Sequence, residues 1–415
     1  MHRSYVVVLA LVVAAAAAVA PAAGCSRCTR GDVVPSVEDA PGAVAALRES
    51  RFDEAERLAL EQLAREDRNA AAHAVAALTR FKRVAHQAVT DVIAIGGTAI
   101  VAGRLNQQYL DFAVDQADDG LADVERHLAA AARDPGFALE LCLACWKVDW
   151  NHDGRIDDRD ARMLEVEVDA DGHEYPEDDP RRTPTFRFDA GDLHWARAMV
   201  AFQRAVLAVL SAYEAPDFAG IVRGGVEDKV FRIRMRDRAA VHRARDLVLA
   251  GIGHADRCRR EYLAETDDDR EWVPNPRQKS HPLPLPVDEA LYATWEGVLE
   301  DVRRLVKGDE GLSVVDVAQL GDHAWKDPPQ GFVDVGRLFE QPGDIVIDSK
   351  HLETLDRDED SRSAAEAVLK DVFGDKYRTG MAASRLPSRL ARMKKEMDRG
   401  EETFERKLRY LLWLN

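Results

Sequence analysis

Little in this chain announces a chemistry. Its 415 residues hold no nucleophile elbow, no glycine-rich phosphate loop and no His-Glu-x-x-His pair, so the local signatures of acyl transfer, phosphoryl transfer and zinc hydrolysis are missing. His194, His242, His254, His281 and His323 share no metal-ligand spacing, and His323, beside Asp322, Trp325 and Lys326, has no identifiable partner. Basic charge is also short: 57 Lys and Arg face 74 Asp and Glu, a formal net charge of −17. A surface that acidic repels nucleic-acid phosphates and anionic lipid headgroups, and it favours divalent cations or basic partners. Five cysteines in the whole chain are too few for a disulfide scaffold.

The longest apolar run lies at the beginning. His2 and Arg3 precede an uncharged stretch from Tyr5 to about Ala20 that ends in small residues, the pattern of a secretory signal rather than a spanning helix. Ala22-Ala23-Gly24-Cys25 resembles a bacterial lipobox, in which cleavage precedes a lipidated cysteine. Ordinary cleavage near Ala23 with a free Cys25 is the rival. The resemblance implies a signal over residues 1–24, a lipid anchor on Cys25 and a tether over 25–40, with membrane attachment and no transmembrane helix. Ser26, rather than Asp, follows the cysteine. By the same resemblance this implies an exported, outer-membrane lipoprotein facing the periplasm or the exterior.

From Pro41 onward the pattern is helical. With hydrophobic residues at 46% and charged residues at 32%, a packed core is expected. The expectation is a mainly α fold: a multi-helix bundle or short helical-repeat array, with a mixed, partly irregular C-terminal region. Val44, Leu47, Phe52, Ala55, Leu58 and Leu63 recur at helical spacing. Arg51-Phe52-Asp53-Glu54-Ala55 resembles the turn of the tetratricopeptide repeat, and the likeness extends over 41–78. No second copy follows at a 34-residue period, which leaves one helical hairpin in a larger bundle as the alternative. Ala88 to Gly103 is unusually apolar around Gly96-Gly97, and we expect a buried helix with a glycine break. Further helices are expected from Asn106 to about Arg133, Asp192 to Tyr213, Arg236 to Glu265, and Val287 to Val306. Five prolines between Trp272 and Pro286 exclude helix there and suggest a strap or boundary over 271–286, between a helical domain (41–270) and a mainly helical C-terminal region (287–415). Ile345-Val346-Ile347 suits a small strand. Ser363 onward returns to helix, and Leu408 to Leu414 form an apolar tail expected to dock on the core.

The sharpest motif runs from Asp149 to Asp160: Asp-Trp-Asn-His-Asp-Gly-Arg-Ile-Asp-Asp-Arg-Asp. It resembles the EF-hand loop, whose oxygens come from positions 1, 3, 5, 7, 9 and 12. The resemblance implies calcium held by Asp149, Asn151, Asp153 and Asp160, by the Arg155 carbonyl, and by Asp157 directly or through water. Gly154 falls at the sharp sixth position, and Ile156 at the eighth, which plugs the core in that family. Glu is usual at the twelfth position, and Asp160 is a methylene shorter. Weak binding follows, in or just below the range of about 10⁻⁴ to 10⁻³ M typical of extracellular modules. The alternative is an acidic loop capping a helix without metal. Phe137, Leu141, Cys145 and Val148 suggest an entering helix, so that the hand covers 136–166, with a short exit helix through Ala161 and Leu164. A degenerate acidic pattern over 167–178 and another at Asp356, Asp358 and Asp360 suit a solvated loop and a helix N-cap. Cys142 and Cys145, on that entering helix, could be packed thiols, a disulfide, or a redox or metal pair.

Taken together, these residues suggest a non-catalytic, calcium-braced envelope lipoprotein that binds a protein or envelope partner. The contrasting possibility is an envelope enzyme or transport accessory whose site is assembled from distant residues.

Overall fold

The structure, a computed structural model, describes residues 40–102, 106–149, 154–157, 160, 162–169, 173–215, 230–266, 270–279, 281, 283, 287–320, 326–348, 350–351, 354–355 and 361–397. It is mainly helical. Cys25, the tether and the apolar C-terminal tail lie outside the described residues, as do Asn151 and Asp153.

The chain enters through a helical hairpin, α1 (Pro41–Arg48) and α2 (Phe52–Leu63). Pro41 occupies the first helical turn, where its missing N–H costs nothing. Ser50 turns the chain with a positive φ of 62°. The next element is one long helix, α3 (Ala70–Ala102), rather than a second short hairpin. It runs straight through Gly96 and Gly97, so the expected glycine break is absent. A glycine costs only about 1 kcal/mol relative to alanine in a helix, and the flanking Ala94 and Ala99 are good helix formers. This stretch is not wholly buried either, because Val92 is 68% exposed.

Helix α4 (Gln107–Ala131) returns antiparallel to α3, with Asn106 capping its first turn by accepting from the Gln108 and Tyr109 N–H groups. The Arg80–Asp123 ion pair and the Tyr109 Oη–Asp91 hydrogen bond of 3.0 Å fix that register. Two more long helices extend the layer, α5 (Ala190–Ala212) and α6 (Arg238–Ala264). Arg204 reaches Asp118 on α4 at 2.8 Å. Gly251 lies under Phe202, so close that an added Cβ would come within 2.4 Å of the ring, and α5 and α6 therefore pack tightly. All four helices alternate in direction, as short-range antiparallel packing allows.

Between α4 and α5 stands a two-stranded antiparallel ladder, β1 (Ala138–Leu141) with β2 (Phe186–Asp189), in which Leu141 pairs with Phe186. Everything from Cys142 to Thr185 is thus an excursion clipped at its base by this ladder. A second ladder joins β3 (Val230–Ile233) to β6 (Ile345–Asp348), so the expected strand at Ile345 is present.

Beyond α6 the proline-rich segment crosses the bundle as a strap. Trp272 and Leu283 are fully buried, and Asn275 donates to the Tyr262 carbonyl at 2.8 Å. Helix α7 (Glu289–Lys307) follows, capped by Asp288 and closed by Gly308 in the left-handed region. Its apolar face carries Trp295, Val298, Leu299 and Val302 into the core. The remainder is mixed: β4 (Leu312–Ser313), α8 (Val314–Leu320), β5 (Phe332–Val333), α9 (Val335–Glu340), α10 (Arg362–Phe373), β7 (Tyr377–Arg378) and α11 (Leu386–Met397). One hydrophobic core runs from Ala40 to Leu386, on both sides of the strap.

Candidate metal centre

The entry to the acidic loop is not helical. Phe137, Leu139, Leu141 and Leu143 alternate inward, with Ala138 and Glu140 facing out. That period of two makes a strand, and spacing counted only through Phe137, Leu141 and Cys145 passes over Leu139 and Leu143. The strand ends in a single 3-10 turn, Leu143–Cys145. Cys142 and Cys145 are joined as a disulfide across this turn. Cys145 faces solvent, and the Cys142 sulfur lies 3.5 Å from the Thr183 carbonyl on the returning arm.

Two contacts then fix where the loop begins. Trp146 is buried edge-on against Phe52 with ring centroids 5.4 Å apart, and the Lys147 N–H donates to Ser50 Oγ at 2.9 Å. Val148 is buried as well, so Asp149 emerges from a pinned backbone. The sequence marks Phe52 at the α1–α2 turn, and that turn is the wall against which the loop entry packs.

Inside the loop, Gly154 has φ +83° and no atom within 4 Å of where a Cβ would sit. Glycine is there for its backbone, not for space. Its N–H donates to Asp149 Oδ2 at 2.9 Å, so positions one and six of the twelve-residue segment are hydrogen-bonded across the turn. At the far end Asp160 is only 2% exposed, and its Oδ2 accepts from the Asp157 N–H at 3.0 Å. Both ends of the segment therefore aim carboxylates back at loop backbone. Ile156 departs from expectation: it is 59% exposed and plugs nothing. With a strand rather than a helix before the loop, no second helix packs where an eighth-position side chain would insert.

After Asp160 and Arg162, which are helical, the chain turns at Met163 and Leu164. Leu164 and Val166 are buried, the Val166 N–H donates to the Arg182 carbonyl at 2.9 Å, and Arg182 pairs with Glu165 at 2.7 Å. The acidic stretch after it is a tight reversal. Val168 bridges Glu174, and Asp169 accepts from the His173 N–H at 2.9 Å. Asp169 thus serves its own turn, as a solvated loop does. The other alternating acids, Asp356 to Asp360, lie outside the described residues, and α10 starts just after them with Ser361 as its N-cap residue. Among the described residues no three His, Cys, Asp or Glu side chains form a group able to hold a metal ion.

Sequence spacing gave no hint of two other concentrations of titratable groups. One is acidic, where α5 begins and α6 ends. Asp192 accepts from Tyr262 Oη at 2.6 Å and from the Asp189 N–H at 2.8 Å. Burial, then the Asp189 charge, pushes the Asp192 carboxyl up to about 8. Burial beside Asp189 and Glu271 pushes Glu265 up to about 12. The other is a pair of histidine contacts, His73 with His127 and His194 with His254. Only tertiary packing joins these residues, because their partners lie 54 and 60 positions apart. An apolar cavity between α5, α6, α7 and α9 is lined by side chains such as Phe202, Val248, Val302 and Phe339.

No protein-family model, curated protein or solved structure matches this chain. The functional reading therefore rests on its own residues.

Proposed function

We propose that this is a calcium-binding lipoprotein of the bacterial envelope, non-catalytic, in which calcium braces the excursion between β1 and β2 of a helical scaffold that binds a protein or envelope partner. One observation carries the calcium reading. Gly154 takes a positive φ and returns its N–H to the Asp149 carboxylate, which is the turn that a twelve-residue oxygen cage requires at its sixth position. Asp149 and Asp160 bracket that turn, and the Arg155 carbonyl and Asp157 lie on the segment between them. Asn151 and Asp153 complete the proposed ligand set by sequence position. All are hard oxygen donors, the type that calcium selects.

A solitary hand favours a brace over a switch. The loop is followed by a short turn and a reversal, not by a second helix pair. Holding Asp149 and Asp160 together ties the strand side of the excursion to the segment that follows the loop, where Leu164, Val166 and Val168 are buried. The lipid anchor rests on Ala22-Ala23-Gly24-Cys25. Attachment there would leave the acidic body in the calcium-rich space outside the cytoplasm.

Metabolic labelling with a fatty-acid analogue, combined with limited proteolysis, tests both halves. Labelling should vanish in Cys25→Ser, and cleavage between Cys142 and Thr185 should slow about tenfold or more when calcium is raised to about 10 mM. Persistent labelling of the variant removes the anchor. Cleavage indifferent to calcium removes the brace.

A further inference from the structure

Two pairs of histidines join neighbouring helices of the four-helix layer, and in each a ring nitrogen is buried without a hydrogen-bond partner. In the first, His73 Nε2 lies 2.9 Å from the Asp67 carbonyl and His73 Nδ1 lies 2.9 Å from His127 Nδ1. A carbonyl only accepts, so His73 carries its proton on Nε2 and its Nδ1 accepts from the His127 N–H. His127 is left with an Nε2 lone pair that is buried with no hydrogen-bond partner. A second proton can enter this pair only by placing an N–H on His127 Nε2, a buried donor without an acceptor.

The second pair joins α5 to α6. The His194 and His254 rings stack with centroids 5.8 Å apart and planes 15° from parallel. His194 is 3% exposed, and its Nδ1 is buried without a hydrogen-bond partner.

The charged surroundings also oppose protonation. His73 from α3 and Arg126 from α4 face His127, and burial, then these two, lowers it to about 4. Arg197 from α5 and Arg257 and Arg260 from α6 face His194, which burial, followed by these cations and His254, lowers to about 3. Burial with Arg197 and Arg257 takes His254 to about 4. The carboxylates nearby are already engaged: Glu125 of α4 is 3.9 Å from His254 Nε2 but pairs with Arg197 at 2.8 Å, and Asp123 is held by Arg80 and Arg126.

Where α3, α4 and α5 meet lies a small apolar cavity of about 30 Å³, walled by Leu78 and Phe81 of α3, Leu128 of α4, and Trp195 and Met199 of α5. We propose that the histidine pairs are an acid-released latch: neutral, they close α3 on α4 and α5 on α6; protonated, they loosen these seams, and the α3–α4 seam opens onto the apolar cavity. The sign is fixed by the shifts. An unfolded or opened histidine takes its proton near pH 6.5, whereas His127, His194 and His254 in the closed layer resist until about pH 4 or below. Closure is therefore fully favoured above pH 6.5 and is lost as the pH falls from there towards 4.

Backbone hydrogen exchange of the full mature chain, in saturating calcium and corrected for intrinsic rates, tests the latch. Between pH 7 and pH 4.5, protection in α3 and α4 should fall at least tenfold while α7 and α10 keep theirs, and α5 and α6 should lose less because Asp192 and Glu265 at their junction bind protons over the same range. The double variant His127→Gln, His194→Gln should hold its protection across the same range. A uniform loss in all helices, no loss in any, or a variant that opens like the wild type would overturn the proposal. If the double variant fails to fold, the helix-by-helix pattern of the wild type decides alone.

Discussion

Raising calcium to about 10 mM should stabilise the protein by about 1.4 to 2.7 kcal/mol, and chelation should remove that gain completely. The figure follows from linkage: a site with Kd of about 10⁻³ to 10⁻⁴ M is then at about 10 to 100 times Kd, and stabilisation grows as RT ln(1 + [Ca]/Kd). For a chain of this size that is a rise in thermal midpoint of a few degrees, about 2–4 °C per kcal/mol at most. Asp149→Ala should abolish the response, because it removes both the first ligand and the acceptor of the Gly154 N–H. Asp160→Glu should act in the opposite direction. It restores the longer carboxylate usual at the twelfth position, so calcium affinity should tighten by about tenfold, about 1.4 kcal/mol. An acidic cap without metal predicts neither result. Calorimetric scans of the three proteins with and without calcium separate the two accounts.

The second large effect lies in the buried acids at the α5–α6 junction. Asp192 is held by Tyr262 Oη and by the Asp189 N–H, yet burial and the neighbouring Asp189 charge raise it to about 8. Glu265 is raised to about 12, and its Oε1 is buried with no hydrogen-bond partner. A carboxyl whose folded value lies above its unfolded value binds protons more tightly when folded. Its stabilising contribution is complete below about pH 4 and is lost progressively as pH rises through the folded value. Stability should therefore decline from mildly acidic pH through pH 8 and beyond, by several kcal/mol from Asp192 alone. Glu265→Gln keeps the shape and needs no proton. It should be nearly neutral at pH 6 and more stable than wild type at pH 9, by at least about 1 kcal/mol. Denaturant unfolding at the two pH values checks it, and a Glu265→Gln protein less stable than wild type at pH 9 would contradict the raised value. This alkaline slope and the acid latch bracket the range in which the helical layer is closed.

Helices with clear caps and periodicity were legible from sequence. Asn106, Asp288 and the Asp-Pro-Gly after α4 bound their helices within a residue or two of expectation, because caps act locally. Two glycines inside α3 misled for the converse reason: glycine weakens a helix without obliging it to break. The entry to the acidic loop misled more instructively. Spacing through Phe137, Leu141 and Cys145 satisfies a helix, but Leu139 and Leu143 satisfy a strand, and the ladder partner Phe186–Asp189 lies 45 or more residues away. Short apolar runs do not settle their own period; the pairing strand does. With the helix gone, Cys142 and Cys145 fall on a 3-10 turn that brings them within reach of one another. The tight turn inside the loop was legible because its requirement is local: Gly154 must take a positive φ. The histidine pairs and the acidic junction were not, since each partner is supplied by a different helix and only the antiparallel packing of α3 to α6 brings them together.

Terbium luminescence is the most direct measurement of the central claim, that Asp149 to Asp160 hold calcium. Trp150 stands at the second position of the loop, so exciting its indole should drive green terbium emission that calcium displaces and that Asp149→Ala with Asp153→Ala eliminates. Emission that is absent in the wild type, or unchanged in the double variant, would contradict the account.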